Sequence, residues 1–92
     1  MGLRAYLMLR LTDSLSQDEL VNVLRQLEEI DEVDFVDPVQ GSWDVMLIVE
    51  AASSVEAVVR KIRKKRWVLE LEILKVRSFF ERPRPWKELN LD

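Results

Sequence analysis

The chain contains no cysteine and no histidine. Without thiols there is no disulfide framework, no thiolate zinc site and no cysteine nucleophile. Without imidazole the commonest general base and the commonest metal ligand are both missing. Any chemistry would fall to carboxylates, Lys, Tyr or Ser, and neither a metal nor another cofactor is expected. Long apolar runs are missing too. The longest, Val45 to Val49, is far too short to cross a bilayer, and Arg4 and Arg10 break the apolar residues of the N-terminal stretch, so that stretch does not read as a signal segment. These absences predict a cytoplasmic protein. Gly, Asn and Gln are scarce beside 34% charged residues, a composition that resembles heat-adapted proteins.

What is present suffices for one small domain. Ninety-two residues, 48% of them hydrophobic, bury only about 60% of the surface their unfolded chain exposes, so oligomerisation is expected from size alone. Leu3, Ala5, Leu7, Leu9 and Leu11 alternate with Arg4, Tyr6, Met8 and Arg10 and predict a first strand. Ser16 followed by Glu19 is a capping box, and the helix it opens runs to about Glu29 with Leu20, Val23, Leu24, Leu27 and Ile30 on one stripe. Val33, Phe35 and Val39 form an interrupted alternation, and Val45 to Val49 a nearly continuous apolar strand. Ser53 and Glu56 repeat the capping box ahead of a second helix whose buried face carries Val55, Val58, Val59 and Ile62, and Trp67 to about Val76 reads as a fourth strand. The order strand, helix, strand, strand, helix, strand predicts an α+β, ferredoxin-like βαββαβ sandwich, a four-stranded antiparallel sheet with two helices on one face.

The other face of such a sheet is polar when it meets water. Here it would carry Tyr6, Met8, Met46 and Ile48, with Asp44 at its hairpin end, extended by Val36, Leu74 and Val76. An apolar surface of that extent marks a partner site more often than an accident, and a homodimer formed face to face through the sheet is predicted, with Tyr6, Met8, Met46 and Ile48 in its interface. A slip of one residue would swap the faces, although both faces of the first and third strands are largely apolar.

Between the second and third strands lies Val39-Gln40-Gly41-Ser42-Trp43-Asp44-Val45. Gly41 can take positive φ or admit a close backbone approach. Asp44 is a charge just inside a strand that otherwise reads as buried, and it needs a reason. The turn resembles the Gly-x-x-Asp hairpin of the Lrp/AsnC effector domain, also called the RAM domain, of amino-acid-responsive transcriptional regulators. The likeness runs on through Ile48-Val49-Glu50-Ala51 and back through Leu27, Ile30 and Val33, covering about Leu3 to Val76, with the hairpin as its one sharp motif. The resemblance implies an effector domain over residues 1–77, free-standing without the helix-turn-helix domain of full-length regulators. It also implies effector binding near the contact between dimers, at Gly41, Ser42, Trp43 and Asp44, with Asp44 holding a ligand ammonium or a neighbouring subunit's donor. The plainer reading has Asp44 capping the hairpin backbone, as many turn aspartates do. One departure is evident: the family's fourth strand usually opens with Pro-Gly-Val and two threonines that help line the effector site, and here Leu71 and Ile73 stand about where the threonines would be.

Residues 60–66 are basic at every position but Ile62, yet they occupy a helix end, where cations complement the macrodipole. The net charge is −3 and no aromatics interleave with the basic residues, so no direct nucleic-acid contact is expected. Glu28, Glu29, Asp31, Glu32, Asp34 and Asp37 gather around the first helix exit, and antiparallel helices would put the acidic and basic runs at opposite ends of the domain. Residues 78–92 combine Pro83 and Pro85 with Phe79, Phe80, Trp86, Leu89 and Leu91 and read as a C-terminal docking tail.

Together these readings predict a non-enzymatic, homo-oligomeric module that binds an amino acid or related small molecule. Its partners would be itself, the effector and a regulator that supplies DNA binding, with no membrane involved. Two other classes stay open. One is a dimeric α+β-barrel enzyme using Tyr6 with Asp44 or a glutamate as acid and base, which a deep internal pocket holding an acid of shifted pKa would favour. The other is a protein-recruiting structural module that acts through its tail. An ACT-like amino-acid-binding domain shares the fold but fits the hairpin less well.

Overall fold

The computed structural model describes residues 2–76. The elements are β1 (Leu3–Leu11), α1 (Gln17–Glu28), β2 (Val33–Pro38), β3 (Val45–Ala51), α2 (Val55–Arg63) and β4 (Val68–Lys75). The strands form one antiparallel sheet in the order β2-β3-β1-β4, the βαββαβ ferredoxin-like arrangement that the element order predicts. The docking tail expected at residues 78–92 lies outside the described residues.

Both crossings from strand to strand bring a helix over the same face, because each helix has one apolar stripe to bury. The resulting core is aliphatic: Ala5, Leu7, Leu9 and Leu11 from β1, Val45, Leu47 and Val49 from β3, Val23 and Leu27 from α1, and Val55, Val58, Val59 and Ile62 from α2. Among the described residues no polar or charged residue is buried. The capping box of α1 forms as expected: Ser16 Oγ accepts from Glu19 N–H at 3.1 Å and Glu19 Oε1 accepts from Ser16 N–H at 2.7 Å.

Three expectations need correction. The cap of α2 is Ser54 rather than Ser53, with Ser54 Oγ accepting from Ala57 N–H at 3.2 Å. This start sets Glu56 one position too early to complete a capping box, and its carboxylate pairs instead with Lys75 of β4. The second correction concerns β2. Val33 lies opposite Val49, but Phe35 lies opposite Ile48 and Val36 opposite Leu47, because a β-bulge around Asp34 inserts one extra residue. A bulge reverses the side-chain alternation beyond it. Val36 therefore faces the helices and packs on the core, while Phe35 takes its place on the open face. Third, the acidic and basic runs are not held at opposite ends: Lys61 Nζ of α2 reaches Glu32 at 3.2 Å.

The open face of the sheet is apolar at its centre. Tyr6 pairs with Ile48 and Met8 with Met46, all four half-buried, and Phe35 and Leu74 flank them at 52% and 45% exposure. Two ion pairs frame this patch, Arg4 with Glu50 (2.9 Å) toward one end of β1 and Arg10 with Glu70 toward the other. No helix of the described residues is long and apolar enough to cross a membrane.

Candidate functional site

The hairpin Val39–Asp44 leaves the sheet beside the end of β1, and the chain after β1 crosses in front of it on the way to α1. Between them opens a cleft of about 560 Å³. Leu11, Thr12, Asp13, Ser14 and Leu15 form one wall, Pro38, Val39, Gln40 and Asp44 the other, and Leu20 of α1 lies against both. Its volume falls within the range of small-molecule sites, and its lining is of their usual kind, mostly apolar with a few polar groups.

Asp44 has a geometric reason to be charged. Its backbone N–H donates to Leu9 C=O at 2.9 Å and its C=O accepts from Val39 N–H at 2.9 Å, which closes the hairpin. One ladder position further along β1, the N–H of Leu11 points to where β3 no longer supplies a backbone carbonyl. Asp44 Oδ2 accepts that N–H at 2.8 Å. The side chain thus stands in for a missing rung, and a charged acceptor makes a stronger bond than a neutral one. The expectation that Asp44 caps backbone is met in a particular form: the capped strand is β1, across the sheet.

Trp43 turns the other way. Its half-buried ring lies under the guanidinium of Arg10, with Cζ 5.4 Å from the ring centroid, a cation–π contact on the open face of the sheet. Arg10 also pairs with Glu70 of β4. The hairpin is consequently fastened to three successive residues of β1: the carbonyl of Leu9, the side chain of Arg10 and the amide of Leu11. Gly41 has φ +138°, a backbone conformation that side-chain-bearing residues rarely adopt, and a Cβ added there would meet nothing within 4 Å. Glycine is needed at this position for the turn itself, while Ser42 beside it is exposed.

Of the four hairpin residues singled out in the sequence, Asp44 lines the cleft together with Leu20 of α1 rather than standing on the open face as expected, Gly41 and Ser42 shape the turn, and Trp43 faces the sheet surface. The opposite wall, Thr12 to Leu15, was not singled out. Its signal is a short run of small polar residues, Thr12-Asp13-Ser14, ahead of a helix cap, and such runs occur in ordinary loops. The interface candidates Tyr6, Met8, Met46 and Ile48 lie together at the centre of the open face. Leu71 and Ile73 pack against the core on the helix side and do not line this cleft.

Three glutamates are held below the ordinary value of 4.5, all of them outside the cleft lining. Glu19 is lowered by the backbone N–H of Ser16 and then by its hydroxyl. Glu32 is lowered by its own backbone N–H and by Lys61. Glu56 is lowered first by Lys75. These shifts belong to helix caps and ion pairs.

No family model matches the sequence, and no curated protein does. Solved structures do. The crystal structure of TTHA0845 from Thermus thermophilus matches with a TM-score of 0.68 at 20% identity, covering 87% of this chain and 99% of that one. A hypothetical protein from Pyrococcus horikoshii, PHS023, matches with a TM-score of 0.66 at 17% identity over 84% of this chain and 92% of that one. PH0061 matches with a TM-score of 0.67 at 11% identity over 87% of this chain, which spans 55% of the length of PH0061. At these identities the likeness carries the fold.

Proposed function

We propose that this chain is a non-enzymatic, homo-oligomeric small-molecule-binding module of the Lrp/AsnC effector type, with the effector seated in the cleft between the β1–α1 loop and the Val39–Asp44 hairpin. The observation that carries the proposal is that cleft, with Asp44 fixed on its wall and Gly41 setting the turn beside it. The Gly-x-x-Asp resemblance and the cleft point to the same end of the sheet. The apolar patch around Tyr6, Met8, Met46 and Ile48 supports assembly with a second copy through the open face.

Light scattering on a sizing column, paired with thermal denaturation and run with and without a panel of amino acids and related small molecules, tests this reading. A compound that raises the melting temperature or changes the assembly state, and that loses its effect in Asp44→Asn, is the expected result. Asparagine keeps an acceptor for Leu11 N–H and removes only the charge, so the variant stays folded. An assembly indifferent to every compound refutes effector binding at this site.

A further inference from the structure

Charge on the walls of the cleft narrows the class of ligand. Among the described residues its lining includes two carboxylates, Asp13 and Asp44, and neither a lysine nor an arginine. At the nearest helix start, two of the N–H groups that a ligand carboxylate would seek are already taken within the capping box. Glu19 takes the N–H of Ser16, and Ser16 Oγ takes the N–H of Glu19. Asp18 and Glu19 in the first turn of α1 add negative charge on the same side. An α-amino acid would therefore bring its carboxylate into an acidic cleft that offers it no cationic side chain among the described residues. Like charges a few ångströms apart oppose binding. An ammonium or guanidinium group meets the opposite situation, since Asp13 and Asp44 favour the charged form of a base. The apolar part of the lining, Leu11, Leu15, Leu20, Pro38 and Val39 across both walls, suits an aliphatic or aromatic body.

We infer that the cleft selects organic amines, compact cations with an apolar body and no carboxylate, over the corresponding amino acids. This rests on the proposed effector site and specifies what that site accepts.

The experiment is calorimetric titration of the full chain with matched pairs that differ only by a carboxylate: 3-methylbutylamine against leucine, phenethylamine against phenylalanine, and agmatine against arginine. The expected result is that within at least one pair the amine binds on the order of tenfold or more tighter than the amino acid, which corresponds to about 1.4 kcal/mol. Asp13→Asn and Asp44→Asn should each erode that preference, while far-ultraviolet circular dichroism confirms that both variants are folded. If an amino acid binds as tightly as its amine, or more tightly, the inference fails and the effector site stands. Amine binding unchanged in the Asp13→Asn, Asp44→Asn double variant places the ligand elsewhere and also overturns the inference. If neither member of any pair binds, the inference fails, and the wider panel of compounds decides the effector reading.

Discussion

Asp44 shows how one side chain can satisfy a structural demand and still be available for chemistry. Its Oδ2 completes the hydrogen bonding of β1 where β3 ends, and the same carboxylate belongs to the wall of a cleft. The two roles separate by substitution. Asp44→Ala leaves the partly buried N–H of Leu11 without its acceptor, a loss of about 1–2 kcal/mol. For a domain of this size that is a drop of roughly 4–16 °C in melting temperature. Asp44→Asn should recover most of that loss, and thermal melts of the two variants side by side check it. Equal destabilisation by both would mean that the charge, not the acceptor, stabilises the fold. The acid's presence near the turn was legible because a charge stood at the mouth of an apolar strand. Its bond to Leu11 was not, since the two residues are distant in sequence and only the sheet order β3-β1 brings them together.

At the scale of elements, legibility followed periodicity. Unbroken alternation in β1 and unbroken stripes on α1 and α2 correspond to the observed strand and helices, with ends differing by a residue or so. Where the period broke, the reading broke. A bulge adds a residue without marking which one is extra, so Val36 was expected on the wrong face of β2. Two adjacent serines, Ser53 and Ser54, offered two caps for α2, and the hydrogen bond to Ala57 selects the second. The ends of these elements also set the acid response. Glu19, Glu32 and Glu56 have folded-state pKa values below their unfolded ones, so their contribution to stability is fully present above the unfolded value and is lost as pH falls through the folded value. The melting temperature should accordingly fall as the pH is lowered below about 4.5. Glu19→Gln keeps the reach of the capping box but cannot ionise, so its melting temperature should depend less steeply on pH than that of the wild type. Parallel slopes in melts across this range would show that the cap carboxylate adds nothing to acid sensitivity.

For the whole molecule, the open face of the sheet poses the largest question of energetics. A small domain with its apolar sheet face uncovered leaves part of its hydrophobic stabilisation unused, and a second copy is the occupant that size and symmetry favour. The two ion pairs, Arg4 with Glu50 and Arg10 with Glu70, lie around the patch as a polar rim. Ile48→Glu places an unpaired charge opposite Tyr6 at the centre of this face, where a dimer would have to bury it. In light scattering the variant should show the mass of one chain at concentrations where the wild type shows an assembly. It should also remain folded, because Ile48 lies outside the buried core. An unchanged assembly would move the interface to another surface.

The substitution of a side chain for a missing rung also has a consequence in time. Because Leu11 N–H is held by Asp44 Oδ2, that amide is shielded from solvent hydrogen only while the hairpin stays closed against β1. The neighbouring amide of Thr12, bonded on the opposite side to the carbonyl of Trp67, is released by separation from β4 instead. Two adjacent amides therefore run as independent clocks, one set by the hairpin and one by the far edge of the sheet. Deuterium uptake at Leu11 measures how often the mouth of the cleft opens, with Thr12 beside it as the internal reference.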